Sequence, residues 1–395
     1  MKFYQIDKFF TLVSIWLIKI YQKTLSPDKG IFSYRLKGTV CVHEPHCSQY
    51  SINAFQRYGF IKWLRKTMDR VSRCTPASQT KYDPDHYRVI FFSSAPIGVP
   101  FLEKLASDPR FELVWVVTQP DKPAGRGLHL QPNIIKTTAQ KIGLPEEKIF
   151  TPEKINPDKS PEWKIFYENI KKQNADFFVV IAYGKIIPQS VLDIPRIAPI
   201  NVHGSILPEY RWASPIQSVL LDEKTETGIT IMAMDATLDT GDIISILKFP
   251  LSLSDTSREI ISAIQSKWPD FLADSLEEFA KGHLIRKAQE ESKATFCTKI
   301  EKEDWLISID WDPLQKVFSK YKAFILRPKI FFIYQDKSFI IEWLSVSPEI
   351  YEKNKSTPLI DSSRNLNPAI NEITIKPEGK KTMDRPSFLN GYIKN

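Results

Sequence analysis

The first 23 residues, MKFYQIDKFFTLVSIWLIKIYQK, repeat large apolar side chains at helical spacing: Tyr4, Phe9, Val13, Trp16 with Leu17, and Ile20 with Tyr21. Lys2, Lys8, Lys19 and Lys23 sit at the ends and edges of the pattern. The spacing predicts an amphipathic helix. Its uninterrupted apolar part, Phe9 to Ile18, is ten residues long. A bilayer crossing needs about 20. No small-residue cleavage site follows, which argues against a secretory leader. A basic helix with Trp and Phe on one face fits a place in a membrane interface better than the core of so small a module.

The texture breaks at residues 76–87, PASQTKYDPDHY, which hold two prolines and no periodicity. From Arg88 onward, apolar runs alternate with helical segments. RVIFF (88–92), ELVWVV (112–117), DFFVVIAY (176–183) and APINVH (198–203) read as buried strands, with helices at 99–107 and 134–143. That rhythm predicts an α/β domain with a mainly parallel, Rossmann-like sheet. GITIMAMD (228–235) and DIISILKFPL (242–251) add strands. A helix then opens at the capping box Thr256-x-x-Glu259 and runs to Gly282. Beyond a charged connector the pattern turns to short strands at 329–334, 338–344 and 372–377, the first two flanking QDK as a hairpin. A small C-terminal β-barrel of OB-like type follows. The expected division is a small α-helical domain at 1–78, a linker at 79–87, a catalytic domain at 88–280, a linker at 281–292 and the barrel at 293–395.

Charge changes the picture at the ends. The chain has 395 residues and a net charge of +8, but residues 1–80 alone carry 13 Lys and Arg against 4 Asp and Glu. Residues 293–395 stand at +4 and the middle, 81–292, at −5. Basic surfaces seek phosphate, on lipid or on nucleic acid. Four cysteines in this length make no disulfide scaffold. Cys41, Cys47 and Cys74 lie near His43 and His46, but no C-x2-C pair is present, so buried thiols or a redox pair are expected rather than a metal. Cys297 reads as core.

The candidate chemistry lies in the middle. Open parallel sheets bind ligands at the carboxyl ends of their strands. Asn201 and His203 stand at such an end, and strand alternation turns both side chains to one face. Asp239 follows 36 residues later in a Thr/Gly loop after the next strand. A carboxamide, an imidazole and a carboxylate together suit attack of an amine on a carbonyl carbon. The carboxamide can hold the oxyanion, the imidazole can handle protons, and the carboxylate can orient the imidazole. SSAPIG (93–98) stands where a dinucleotide fold would carry G-x-G-x-x-G, which disfavours a nicotinamide site.

Residues 88–390 resemble the methionyl-tRNA formyltransferase family. The matching segments include VVTQPDKPAGRG (116–127), VVIAYGKIIP (179–188), INVHGSILPEYR (200–211), MDATLDTGD (234–242) and EITIKPEGKKTM (372–383). The resemblance implies transfer of a formyl group from 10-formyltetrahydrofolate to the α-amino group of methionyl-initiator tRNA, with no metal. It implies that Asn201, His203 and Asp239 are catalytic. It implies that Tyr183 and Gly184, with Ser205, Ile206, Leu207 and Pro208, border the folate, that Arg126 reaches the tRNA, and that the barrel binds tRNA. The sequence departs from the family pattern in four places. Trp212 stands where glycine is usual, SSA (93–95) replaces GTP, Ala233 replaces Gln, and Leu128-His129 replaces lysines. These bear on substrate affinity more than on chemistry.

Residues 9–76 resemble the membrane protein insertion efficiency factor family, on IYQKTLSP (20–27), PHCSQYSINAFQRYGFIKW (45–63) and RVSRCTP (70–76). That implies a peripheral protein of the cytoplasmic face of the inner membrane. Its partners through residues 1–78 would be the anionic membrane surface and the insertion machinery. Two alternatives stand beside an active, tethered enzyme: an insertion factor with an inactive formyltransferase scaffold, and a formyltransferase for a different amine.

Overall fold

The computed structural model describes residues 2–27, 30–31, 41–75, 82–124, 129–153, 161–326 and 329–393. The chain divides into two compact units: Met1–Arg88 with Asp108–Glu112 and Leu276–Ile285, and the remainder.

The first unit holds the helix α1 (Lys2–Lys23) and the helical span α2 (Cys47–Arg73). At about 1.5 Å per residue a straight α2 would hold Ser51 and Thr67 more than about 20 Å apart. Instead their hydroxyl oxygens lie 3.2 Å apart, and the Trp63 indole N–H donates to Ser51 Oγ at 2.7 Å. Phe55 and Trp63 stack with ring centroids 3.4 Å apart. The span therefore doubles back on itself between these rings. Ile15 of α1 packs into a small core with Ile52 and Phe55, bordered by Ile18, Phe60 and Trp63. The opposite face of α1 stays in solvent: Phe10, Val13, Trp16 (61% exposed), Leu17 (54%), Ile20 and Tyr21. The apolar stripe read from the sequence is thus mostly this outward face. No helix among the described residues is long and apolar enough to cross a membrane. Within the stretch expected as a linker, Asp83 is buried against Arg70 and Arg73, both at 2.8 Å.

The second unit is built on a seven-stranded sheet. Its strands are β1 (Tyr87–Ser93), β2 (Phe111–Val117), β3 (Ile149–Phe150), β4 (Phe177–Ile181), β5 (Ala198–His203), β6 (Glu226–Ala233) and β7 (Ile243–Pro250). Their order is β7-β6-β5-β4-β1-β2-β3. β4 pairs in parallel with β1 and β5, and β2 with β3, whereas β6 pairs antiparallel with both β5 and β7. All five residues of β4 are buried, as a strand covered on both faces requires. The helices α3 (Val99–Ser107) and α4 (Ile134–Lys141) lie where apolar periodicity places them. Among the helices that went unread are α5 (Pro161–Lys172) and α6 (Pro215–Leu221). Trp163, Phe166 and Ile170 of α5 join Ile90, Phe92, Phe178 and Val180 in the core, so the helical spacing was present there. The helix α7 (Ser257–Ala280) starts at the expected box: Glu259 Oε2 accepts the Thr256 N–H at 3.0 Å, and Thr256 Oγ1 accepts the Arg258 N–H at 3.2 Å.

Towards the C-terminus, β8 (Phe331–Tyr334), β9 (Lys337–Val346), β10 (Ile370–Pro377) and β11 (Met383–Asp384) form a four-stranded antiparallel sheet in chain order. Tyr334 pairs with Lys337, so the hairpin loop is Gln335-Asp336 alone. Both have positive φ (48° and 56°), as a two-residue I′ turn demands.

Candidate active site

The site forms where β5 ends. Asn201 faces Val180 of β4 and Met232 of β6 across the sheet, and His203 faces Thr230. The turn between β6 and β7 brings Asp239 over this rim. Asn201 Nδ2 donates to Asp239 Oδ1 at 3.2 Å, and His203 Nδ1 lies 3.6 Å from Asp239 Oδ2. The three side chains expected to work together are therefore together. His203 is buried, and its Nε2 lies 2.8 Å from the carbonyl oxygen of Tyr210. A carbonyl only accepts, so Nε2 carries the proton. The other ring nitrogen, Nδ1, faces the carboxylate.

The carboxylate is held by the backbone as well. The Trp212 amide donates to Asp239 Oδ2 at 2.8 Å. Trp212 adopts φ +84°, a conformation that favours glycine, and Tyr210 and Asp239 also have positive φ (both 58°). Each such residue costs on the order of 1–3 kcal/mol, and such strain gathers at functional sites. The Trp212 ring, nearly half exposed, leans on Phe296 with centroids 4.6 Å apart. The glycine-like backbone at 212 thus persists although the glycine does not, and its N–H stays aimed at the carboxylate.

Residues far along the chain brace this arrangement, and sequence reasoning did not find them. Gln289 Nε2 donates to the carbonyls of Asp239 (2.8 Å) and Gly241 (2.7 Å). A Cβ on Gly241 would stand 1.8 Å from the Ala233 carbonyl oxygen, so only glycine fits there. Buried Arg211 binds Glu291 through two nitrogens, at 2.9 and 2.7 Å, and reaches Gln289 Oε1 at 3.1 Å. Thr230 Oγ1 donates to the Ser205 carbonyl at 2.8 Å and accepts the Leu207 N–H at 3.0 Å, which fixes the loop carrying Ser205, Ile206, Leu207 and Pro208. The Leu207–Pro208 peptide is cis. None of these partners has a spacing signature: a glutamine in a charged connector gives no sign of which turn it holds.

Tyr183 and Gly184 follow β4, the strand beside β5. Gln119 Nε2 donates to the Tyr183 carbonyl at 2.7 Å, and Ser94 Oγ accepts the Gln119 N–H at 3.1 Å. Gly184 is exposed with φ +75°. The Tyr183 hydroxyl is buried without a hydrogen-bond partner, and burial pushes it well above the usual phenol range. Arg126 lies outside the described residues. A cavity of about 420 Å³ lined by Thr256, Tyr321, Lys322 and Trp343 shares no residue with the trio.

Residues 87–276 match the formyl transferase family model, and residues 10–86 match that of the membrane protein insertion efficiency factor. Methionyl-tRNA formyltransferase of Listeria welshimeri is 34% identical over 314 residues, spanning 78% of this chain and 96% of that protein. The enzyme of the same name from Caldicellulosiruptor saccharolyticus is 33% identical over 311 residues, 77% and 96% of the two chains. The chain belongs to the methionyl-tRNA formyltransferase family. A solved methionyl-tRNA formyltransferase from Clostridium thermocellum covers 66% of this chain and 94% of its own at 18% identity, with a TM-score of 0.46. About a fifth of this member of the methionyl-tRNA formyltransferase family lies outside that match, and residues 10–86 carry the second family's segment.

Proposed function

We propose that this chain transfers the formyl group of 10-formyltetrahydrofolate to the α-amino group of methionyl-initiator tRNA, with Asn201, His203 and Asp239 as its catalytic groups. The observation that carries the site assignment is the convergence of all three on one strand rim, with Asp239 between the other two. The amine nitrogen attacks the formyl carbon and a C–N bond forms. Asn201 spends one N–H on Asp239 and has a second to place against the developing oxyanion. The proton lost by the attacking nitrogen enters the Nδ1–carboxylate pair of His203 and Asp239. As the bond to N10 breaks, a proton is returned to that nitrogen, and tetrahydrofolate and formylmethionyl-tRNA leave. Tyr183, Gly184 and the loop Ser205–Pro208 border the folate. Arg126 and an OB-like barrel at 293–395 engage the tRNA, with the four-stranded antiparallel sheet as part of that barrel.

The front segment, residues 1–78, serves at an anionic membrane surface on the cytoplasmic face. Support comes from the exposed apolar face of α1, its flanking exposed Lys19 and Lys23, and the excess of basic residues before residue 80.

The test is formylation of methionyl-tRNA by purified full-length protein and by His203→Ala. The wild type is expected to turn over, and the variant to lose at least about a hundredfold in kcat with an unchanged circular dichroism spectrum. Full turnover by the variant would refute the roles assigned here.

A further inference from the structure

Three cysteines that formyl transfer leaves unused meet at one point of the first unit. In sequence they are dispersed: Cys47 is the first residue of the Cys47–Arg73 span and Cys74 caps its far end. A straight helix of that length would separate them by roughly 40 Å. The doubling back of the span returns Cys74 to Cys47, and the segment before the span brings in Cys41. Cys41 Sγ then lies 3.4 Å from Cys47 Sγ and 3.6 Å from Cys74 Sγ, and all three sulfurs fall within 4.8 Å of one another. Buried His43 helps close the ring, with Nε2 3.4 Å from the carbonyl oxygen of Arg73.

These distances discriminate between chemistries. A disulfide would bring two sulfurs to about 2.05 Å and leave the third thiol odd. The three are free thiols, and Cys41 stands about equally far from the other two. A tetrahedral zinc ion with Zn–S bonds of about 2.3 Å places its thiolate sulfurs about 3.8 Å apart. The observed edges of 3.4 and 3.6 Å are close to that figure. The Cys47 amide, at the start of the helical span, donates to Cys41 Sγ at 3.2 Å. A backbone donor at a helix N-terminus favours the thiolate that a metal requires. The absence of a C-x2-C pair therefore does not exclude a metal here, because the fold supplies the spacing that the sequence lacks.

We propose that Cys41, Cys47 and Cys74 bind one zinc ion, with water in the fourth position. The three half-buried cysteines leave that position access to solvent. The ion ties residue 41 to both ends of the doubled-back span, in a unit where, among the described residues, Ile15, Ile52 and Phe55 form a small apolar cluster. Small units commonly rely on such a staple.

The test uses the full-length protein, purified under reducing conditions from zinc-supplemented cells. Elemental analysis is expected to find one zinc per chain, retained by Cys297→Ser and lost from Cys47→Ser. Because Cys47→Ser can fail to fold, the wild type is also stripped with a chelator under reductant and titrated with Co2+. A thiolate-to-cobalt charge-transfer band is expected to grow to one equivalent. Mass spectrometry is expected to find Cys41, Cys47 and Cys74 protected from alkylation only when metal is added. Metal-independent alkylation of these thiols, a Cys41–Cys47 disulfide in place of zinc, or zinc undiminished in a folded Cys47→Ser protein would overturn the assignment.

Discussion

At the scale of single residues, Asp239 is the most constrained group in the site. Its two oxygens accept from Asn201 Nδ2 and the Trp212 N–H, and Oδ2 also faces His203 Nδ1. An Asn there supplies one acceptor oxygen and one NH2, so one of the two donors must meet another donor. Asp239→Asn is expected to destabilise the protein by about 1–3 kcal/mol and to lower kcat more than KM. Thermal denaturation and steady-state formylation read the two effects separately, and equal loss in kcat and KM would count against a role for the carboxylate in the transition state. The pairing of Asn201 with His203 was legible because strand alternation is local. The Tyr210 carbonyl that sets the imidazole's proton, and the Gln289 amide that pins the acidic turn, were not, because each meets its partner only through the folded loop.

At the scale of elements, helical periodicity announced α1 but could not say which apolar stripe faced inward. Ile15 and Ile18 take the core, while Trp16, Leu17 and Ile20 are left in water. Removing two of these exposed side chains should therefore cost little folding energy and much membrane affinity. For Trp16→Ser/Leu17→Ser, the partition constant onto anionic vesicles, read by co-sedimentation, is expected to fall by at least about a hundredfold, each lost side chain having contributed about 1.5–3 kcal/mol of burial. The melting temperature is expected to stay within a few degrees. Undiminished pelleting would remove α1 from the membrane-binding surface. The reversal inside the 47–73 span is a second case. No local pattern marks the bend; the packing of Phe55 on Trp63 and the approach of Ser51 to Thr67 and Trp63 show it.

At the scale of the whole molecule, sequence-distant segments join the first unit. Its Tyr58 hydroxyl donates to the Pro109 carbonyl at 2.7 Å, and Arg110 pairs with Glu277 at 2.8 Å. His86 is held there between Asp85 (2.7 Å) and Glu112 (3.0 Å). Burial works against its charge, but hydrogen bonds to the two carboxylates outweigh that and raise its pKa. A raised value in the folded state means that the stabilisation is present in full below the unfolded value, about 6.5, and fades as pH climbs through the folded one. Urea midpoints are thus expected to fall from neutral into mildly alkaline pH, and His86→Gln to flatten that slope. An identical slope in the variant would assign the effect to another group.

The alternation of strands and helices that follows residue 88, the shared strand end of Asn201 and His203 and the basic front segment could be read from the chain itself, because periodicity, alternation and local charge are properties of neighbouring residues. Which face of α1 meets solvent, how Trp212 keeps a glycine's backbone, and the gathering of Cys41, Cys47 and Cys74 were decided only by the tertiary structure. Those features depend on contacts between segments tens of residues apart, whose geometry no local pattern encodes.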